Sequence, residues 1–349
     1  MSASTDVVVD PTMRIPASPK RPMKSARVPV WEQQSREWAK LRKSALRQMN
    51  KFIDLVPLVL RNEDLTAVNR MRVTCRRLEE ILDLIYVKPR PGHIKKLRRR
   101  LKLCRRTLGK LRNCDTLLAV ANNSIAAKRP DSDAWLALRE HLQSMRAQTA
   151  AVTLEKIGRV NLSMPYLRMK RDFVSAGKKS AGNRNVNGAA THETSDVVYR
   201  RITRALDKHW REFTRLLEES RHDQGEHVIH RLRIAAKKLR YLAEVMMKLH
   251  IAGSAGALDW LKLLQRTIGV WHDLEIMERM LRKTARPINL RGELRDAGHI
   301  EHVIRHNREI KKESTKTFFQ MTRHSRDYAQ VKQWVCKVLA RHAMKATMH

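Results

Sequence analysis

The residues whose types and spacing could do chemistry in this chain are cations set one helical turn apart. Arg72 and Arg76 are four residues apart, with Asn69 three before Arg72, so the three share one helix face. His230, Arg233, Lys237 and Arg240 line up the same way. Lys102, Arg105 and Arg106 form a further set, with a counterpart in Lys262, Gln265 and Arg266. Between Lys88 and Arg112 there are twelve Lys or Arg and no acid. Like charges at i, i+4 repel unless an anion lies between them. Arg offers planar bidentate donors to phosphate oxygens, Lys adds point charges, and His donates when protonated. A row of such groups about 5.4 Å apart suits a linear polymer carrying one charge per phosphate. No acidic cluster accompanies them, so metal-assisted cleavage is not indicated and no cofactor is implied.

The composition points the same way. Seventy-two Lys and Arg stand against 35 Asp and Glu, a formal charge of +37 over 349 residues with a pI near 10.9. Such an excess repels itself in the compact state and attracts anions at long range, whether nucleic acid, an anionic membrane surface or a phosphate polymer. Hydrophobic residues make up 42%, enough for a sizeable core, while aromatics are only 5%. Leu, Ala, Arg, Lys, Glu and Met dominate, which favours helix. No apolar run approaches the roughly 18 residues of a membrane span. Residues 1–30, rich in Pro, Ser and Lys and without an apolar signal region, are expected to be a disordered basic tail. The cysteines, Cys75, Cys104, Cys114 and Cys336, include no C-x-x-C pair, which fits a reducing cytoplasm.

The elements that position the cations are helices, and they occur twice. LKLCRRTLG at Leu101–Gly109 matches LKLLQRTIG at Leu261–Gly269, an offset of 160 residues. NRMRVTCRRLE at Asn69–Glu79 matches HRLRIAAKKLR at His230–Arg240, an offset of 161. Two matches in one order imply an internal duplication. Leu97, Leu101, Cys104, Leu108 and Leu111 follow the 4-3-4-3 spacing of a packed helix, echoed by Ala257, Leu261, Leu264, Ile268 and Trp271. Met71, Leu78, Leu82 and Ile85 form another apolar stripe, echoed by Leu232, Leu239 and Leu242. Pro89-Arg90-Pro91-Gly92 separates one helix from the next. The Gly-, Asn- and Ser-rich segment 176–195 reads as a flexible linker between a helical block at 31–175 and another at 196–349. The expected architecture is all-α: two pseudo-symmetric bundles of about four long helices each.

His230-Arg231-Leu232-Arg233-Ile234, Lys237-Lys238-Leu239-Arg240-Tyr241, and Ile268-Gly269 through His272-Asp273-Leu274 together resemble the CHAD family, the conserved histidine α-helical domain. The first block matches with substitutions: Asn69-Arg70-Met71-Arg72-Val73, Arg76-Arg77-Leu78, and Leu108-Gly109 through Arg112-Asn113-Cys114-Asp115. The resemblance covers about Trp31 to Ala343. It implies a two-bundle fold with a basic central cavity, a downstream Leu-Gly turn with Asp, and binding of inorganic polyphosphate. Carried over residue by residue, the binding candidates of the first block are Arg72, Arg76, Arg77, Lys102, Arg105 and Arg106. Those of the second are His230, Arg233, Lys237, Lys238, Lys262 and Arg266. Asn69 stands at the histidine position of the first block and Asn113 where Asp is common, so only the second half keeps the titratable donor. No triphosphate-tunnel signature is present, and the chain reads as a stand-alone member.

Other chemistries fit less well. His272-Asp273 is similar to the pair of metal-dependent phosphohydrolases, but the repeat aligns it with Arg112-Asn113, and Asp273 reads as a cap or anchor of a helix turn. His299, His302 and His306 share a helix face, the spacing of a metal site, yet a solvated face explains them as well. Gly177-Lys178 lacks the rest of a phosphate-binding loop, and no Ser or Cys has a partnered nucleophile arrangement. An enzyme is not expected. Nucleic acid is the main competing ligand; against it, the basic faces lack interleaved aromatics and no helix-turn-helix or zinc-finger spacing occurs. A further alternative is a structural adaptor on the surface of polyphosphate or other storage granules.

Overall fold

The computed structural model describes residues 36–62, 64–127, 132–181, 189–284, 297–323 and 325–347. The expected tail at 1–30 lies outside them. Ten helices and no strand occur among the described residues: α1 (Arg36–Arg61), α2 (Leu65–Ile85), α3 (Gly92–Ala126), α4 (Ser132–Gly158), α5 (Ser163–Ala181), α6 (Ala189–His222), α7 (Glu226–Lys248), α8 (Ser254–Thr284), α9 (Ala297–Arg323) and α10 (Arg326–Thr347). Five lie on each side of residues 182–188, where the patterns suggested about four. Helix also extends into both ends of the segment that composition reads as linker, α5 running to Ala181 and α6 starting at Ala189.

Local signals place the boundaries. Asp64 caps α2, its side chain accepting from the Thr66 amide at 2.7 Å. Pro89 to Pro91 fall between α2 and α3, which starts at Gly92, as proline dictates. At the α7–α8 turn Gly253 has a φ of 80°, and a Cβ there would stand 2.5 Å from the Trp334 ring. That ring nitrogen donates to the Ala252 carbonyl at 2.9 Å, holding α10 on the turn.

The apolar stripes are buried as their periods require, Leu97, Leu101, Cys104, Leu108 and Leu111 on α3 and Leu261, Leu264 and Ile268 on α8. The halves do not have separate cores: one cluster of buried apolar side chains draws on all ten helices. A smaller one joins the later turns of α3 and α8 to α4 and α9. Neighbours in sequence pack together, α1 on α2, α2 on α3, α3 on α4, and again α6 on α7, α7 on α8, α8 on α9. Across the halves α1 meets α6, α2 meets α7, α3 meets α8 and α4 meets α9, each helix against its counterpart. Equivalent positions of the duplicated segments therefore converge. No helix among the described residues is long and apolar enough to cross a membrane.

Candidate functional site

Where α2 meets α7 and α3 meets α8, their basic faces turn toward one another. Arg72 and Arg76 come from α2, Arg105 and Arg112 from α3, His230, Arg233 and Lys237 from α7, and His272 from α8. Arg72 reaches α3, where its Nη1 donates to the Arg105 carbonyl at 3.1 Å. Gly109 makes the space, since a Cβ there would stand 2.9 Å from that Nη1. Glycine inside a helix costs roughly 0.5–1 kcal/mol against alanine, so this position exchanges helix stability for a close approach. The Leu-Gly turn expected here is not a turn. Leu108-Gly109 and Ile268-Gly269 lie within the uninterrupted α3 and α8, because the helix ladder tolerates a single glycine.

Asp273 likewise caps nothing, being mid-α8. It accepts from Arg112 Nη1 at 2.9 Å and Nη2 at 3.3 Å, with Arg233 Nη2 at 4.0 Å. A bidentate pair thus ties α3 of one half to α8 of the other. His272 is 8% exposed, its ring centroid 5.0 Å from that of His230, and its Nδ1 has no hydrogen-bond partner. Arg233, also 8% exposed, has an unpartnered Nε. Arg72, Arg76 and Lys237 have no carboxylate within salt-bridge distance among the described residues.

The electrostatics are those of cations pressed together. Burial, then repulsion from Arg76, Arg112, Arg105 and Arg233, pushes the Arg72 guanidinium down to about 9, still charged at neutral pH. Burial pushes Arg233 down to about 10, with Arg112 and Arg76 adding to the shift and Asp273 opposing it. Lys237 falls well below the ordinary lysine value through burial and its neighbours Arg233, Arg76, Arg112 and Arg72. His272 is pushed down to about 3 by burial and Arg233, and His230 is lowered by burial, Arg233 and Lys237. At neutral pH the free site therefore holds uncharged imidazoles among charged guanidinium groups.

Of the twelve residues singled out in the sequence, Arg72, Arg76, Arg105, His230, Arg233 and Lys237 come together here. Arg105 also leans on Glu79 of α2 at 3.4 Å. Arg77 faces away, its Nε and Nη2 donating to Glu244 of α7 at 2.6 and 3.0 Å. Burial alone would lower its pKa, but Glu244 carries it above the ordinary arginine value. Lys238 pairs with Glu212 of α6 at 2.9 Å. Lys102, Arg106, Lys262 and Arg266 are exposed on the outer faces of α3 and α8, Lys262 pairing with Asp259 at 2.8 Å. Arg112, His272 and Asp273 belong to the cluster but were not among the twelve. The alignment of Arg112 with His272 was the available signal. Among the described residues no cluster of His, Cys, Asp or Glu could hold a metal ion; the His299 and His302 side chains lie outside that description.

Comparison with known proteins bears on the fold and the family. The chain resembles the CHAD domain from the plant Ricinus communis with a TM-score of 0.53 at 18% identity, over 85% of this chain and 90% of that one. It resembles PptA from Streptomyces chartreusis with a TM-score of 0.56 at 15% identity, over 82% of this chain and 99% of that one. A search of curated protein sequences gives no match. The CHAD domain model matches residues 33–282, ending before α9. That span takes in α2, α3, α7 and α8, which carry the whole cationic cluster, and the chain belongs to the CHAD domain family.

Proposed function

We propose that this protein binds inorganic polyphosphate, without catalysis, in the cleft lined by α2, α3, α7 and α8. The observation that carries the reading is the convergence of Arg72, Arg76, Arg112, Arg233 and Lys237 on one another, with Asp273 as a rare carboxylate among them. Cations arranged in this way destabilise the empty site, and a polyanion relieves that repulsion on binding. Forked Arg donors suit tetrahedral phosphate oxygens, and the cluster side chains named above include no Phe, Tyr or Trp to stack on bases. The resemblance of the motifs to a polyphosphate-binding family supports the same ligand.

Titration with polyphosphate at two ionic strengths tests it. About six phosphate contacts give a slope of log affinity against log salt near −4, at roughly 0.7 per contact for a flexible strand. Duplex DNA should fail to displace long-chain polyphosphate at equal phosphate concentration. If it displaces the polymer, the basic faces bind polyanions without selectivity and nucleic acid becomes the better reading.

The same titration between pH 8 and 6 has a definite sign. His272 and His230 are neutral in the free site because their pKa values are lowered. Bound phosphate raises His230, so the complex holds more protons than the free protein and affinity rises as pH falls. His230→Ala should remove part of that rise, whereas His272, pushed down to about 3, stays neutral in this range. An affinity independent of pH in this range would place the ligand away from the imidazoles.

A further inference from the structure

We propose that the outer face of α3 is a second polyanion track, continuous with the cleft and engaged only by phosphate chains long enough to leave it. This rests on the polyphosphate reading of the cleft. Lys95, Lys96, Arg99, Lys102, Arg106 and Lys110 are all exposed on α3. None is paired with a carboxylate among the described residues. The α3 cations that face other helices are paired: Arg98 with Asp83, Arg105 with Glu79 and Arg112 with Asp273.

The other helices intersperse acids among their cations, and some of these pairs close. On α6, Arg211 pairs with Asp207 at 2.8 Å, Arg215 with Glu219 at 2.7 Å and Arg221 with Glu218 at 2.5 Å. On α3, by contrast, Lys95 and Arg99, Lys102 and Arg106, and Arg106 and Lys110 stand four apart as like charges, each pair costing a few tenths of a kcal/mol. A plain solvated helix gains nothing from omitting every acid over this length. A helix that carries a polyanion does.

The geometry makes the track an extension of the cleft. Lys102 is three residues from Arg105, which lines the cleft, and four from Arg106, so it neighbours both on the helix surface. A chain leaving past Arg105 meets Lys102 and Arg106, then Arg99 and Lys110 on either side. From Lys95 to Lys110 the track runs about 22 Å along the axis. The matched face of α8 has no equivalent, since Val270 stands where α3 has Lys110 and Lys262 is held by Asp259. A long polymer therefore exits on one side of the pseudo-symmetric site.

The test compares tripolyphosphate with long-chain polyphosphate on the full chain and on a variant carrying Lys96→Gln, Arg99→Gln, Lys102→Gln and Arg106→Gln. Glutamine keeps helix propensity at these exposed positions, and an unchanged melting midpoint verifies the fold. The long chain should lose more than tenfold in affinity and its salt slope should shrink by about 3. Tripolyphosphate binding should be unchanged. Equal losses for both ligands would merge the track with the cleft and overturn the proposal, and no loss for either would reduce it to a solvated face. If the unaltered protein binds neither ligand, it is the polyphosphate reading of the cleft that has failed.

Discussion

Lys237→Met is expected to make the protein more stable and a poorer binder at once. Its ammonium is half-buried on α7, with Arg72, Arg76, Arg112 and Arg233 depressing its pKa and no carboxylate within salt-bridge distance among the described residues. Methionine fills a similar volume without charge, so desolvation and repulsion both disappear, and a gain of about 1–2 kcal/mol in unfolding free energy follows. Each charge-assisted contact to phosphate is worth about 1.5–3 kcal/mol, so polyphosphate affinity should fall by about 10- to 100-fold. Removing Arg233 as well, as Arg233→Gln, should flatten the salt slope by about 1.4 in total. Chemical denaturation and polyphosphate titration of the same samples check both halves of the prediction. A variant that loses stability and keeps its affinity would make Lys237 a structural residue.

The pH dependence of that variant gives an independent check. A lysine whose folded pKa lies below its ordinary value of 10.5 leaves the folded state with fewer bound protons than the unfolded chain in the window between the two values. Stability therefore rises with pH through that window. Lys237→Met should lack this alkaline gain. Its advantage over the parent protein should be largest near neutral pH and shrink as the solution becomes basic.

Glu244→Ala is expected to cost about 3 kcal/mol of stability, the low end for breaking a buried ion pair, because its partners Arg77 and Arg240 are half-buried. Glu244 is 8% exposed on α7 and accepts from Arg77 of α2 at 2.6 and 3.0 Å and from Arg240 at 3.0 Å. The group joins the two halves of the chain through helices more than 160 residues apart in sequence. Arg77→Ala should destabilise in the same direction, and the double variant should cost much less than the sum of the two, because they share one interaction. Denaturant midpoints for the four proteins complete the cycle. Polyphosphate affinity of the folded Arg77→Ala protein should stay within about threefold of the parent, since Arg77 points away from the cleft. If affinity collapses while the midpoint holds, Arg77 belongs to the binding site after all.

Arg76 and Arg77 show what could and could not be read before the fold was known. Both are cations in a duplicated motif, and sequence spacing marks them equally. Consecutive residues on a helix differ by about 100° in direction, so only one can face the cleft. Which one does so depends on the placement of α7 and α3 around α2, and that is a long-range fact. Arg112 and His272 illustrate the converse. The repeat aligned them, but each helix runs on through a glycine that looked like a turn, and only the packing of α3 on α8 brought Arg112 onto Asp273.

The all-helical class, the duplicated segments, the apolar stripes and the excess of cations were determined by the sequence alone, because each depends on composition or on a short-range period that every residue obeys locally. The shared core, the meeting of each helix with its counterpart, the sorting of cations into paired, buried and exposed sets, and the lowered imidazoles were decided only by the tertiary structure. Burial and charge–charge interaction depend on distances between segments far apart in the chain. A helical period specifies the direction of a side chain, whereas the group it meets there is supplied by another helix.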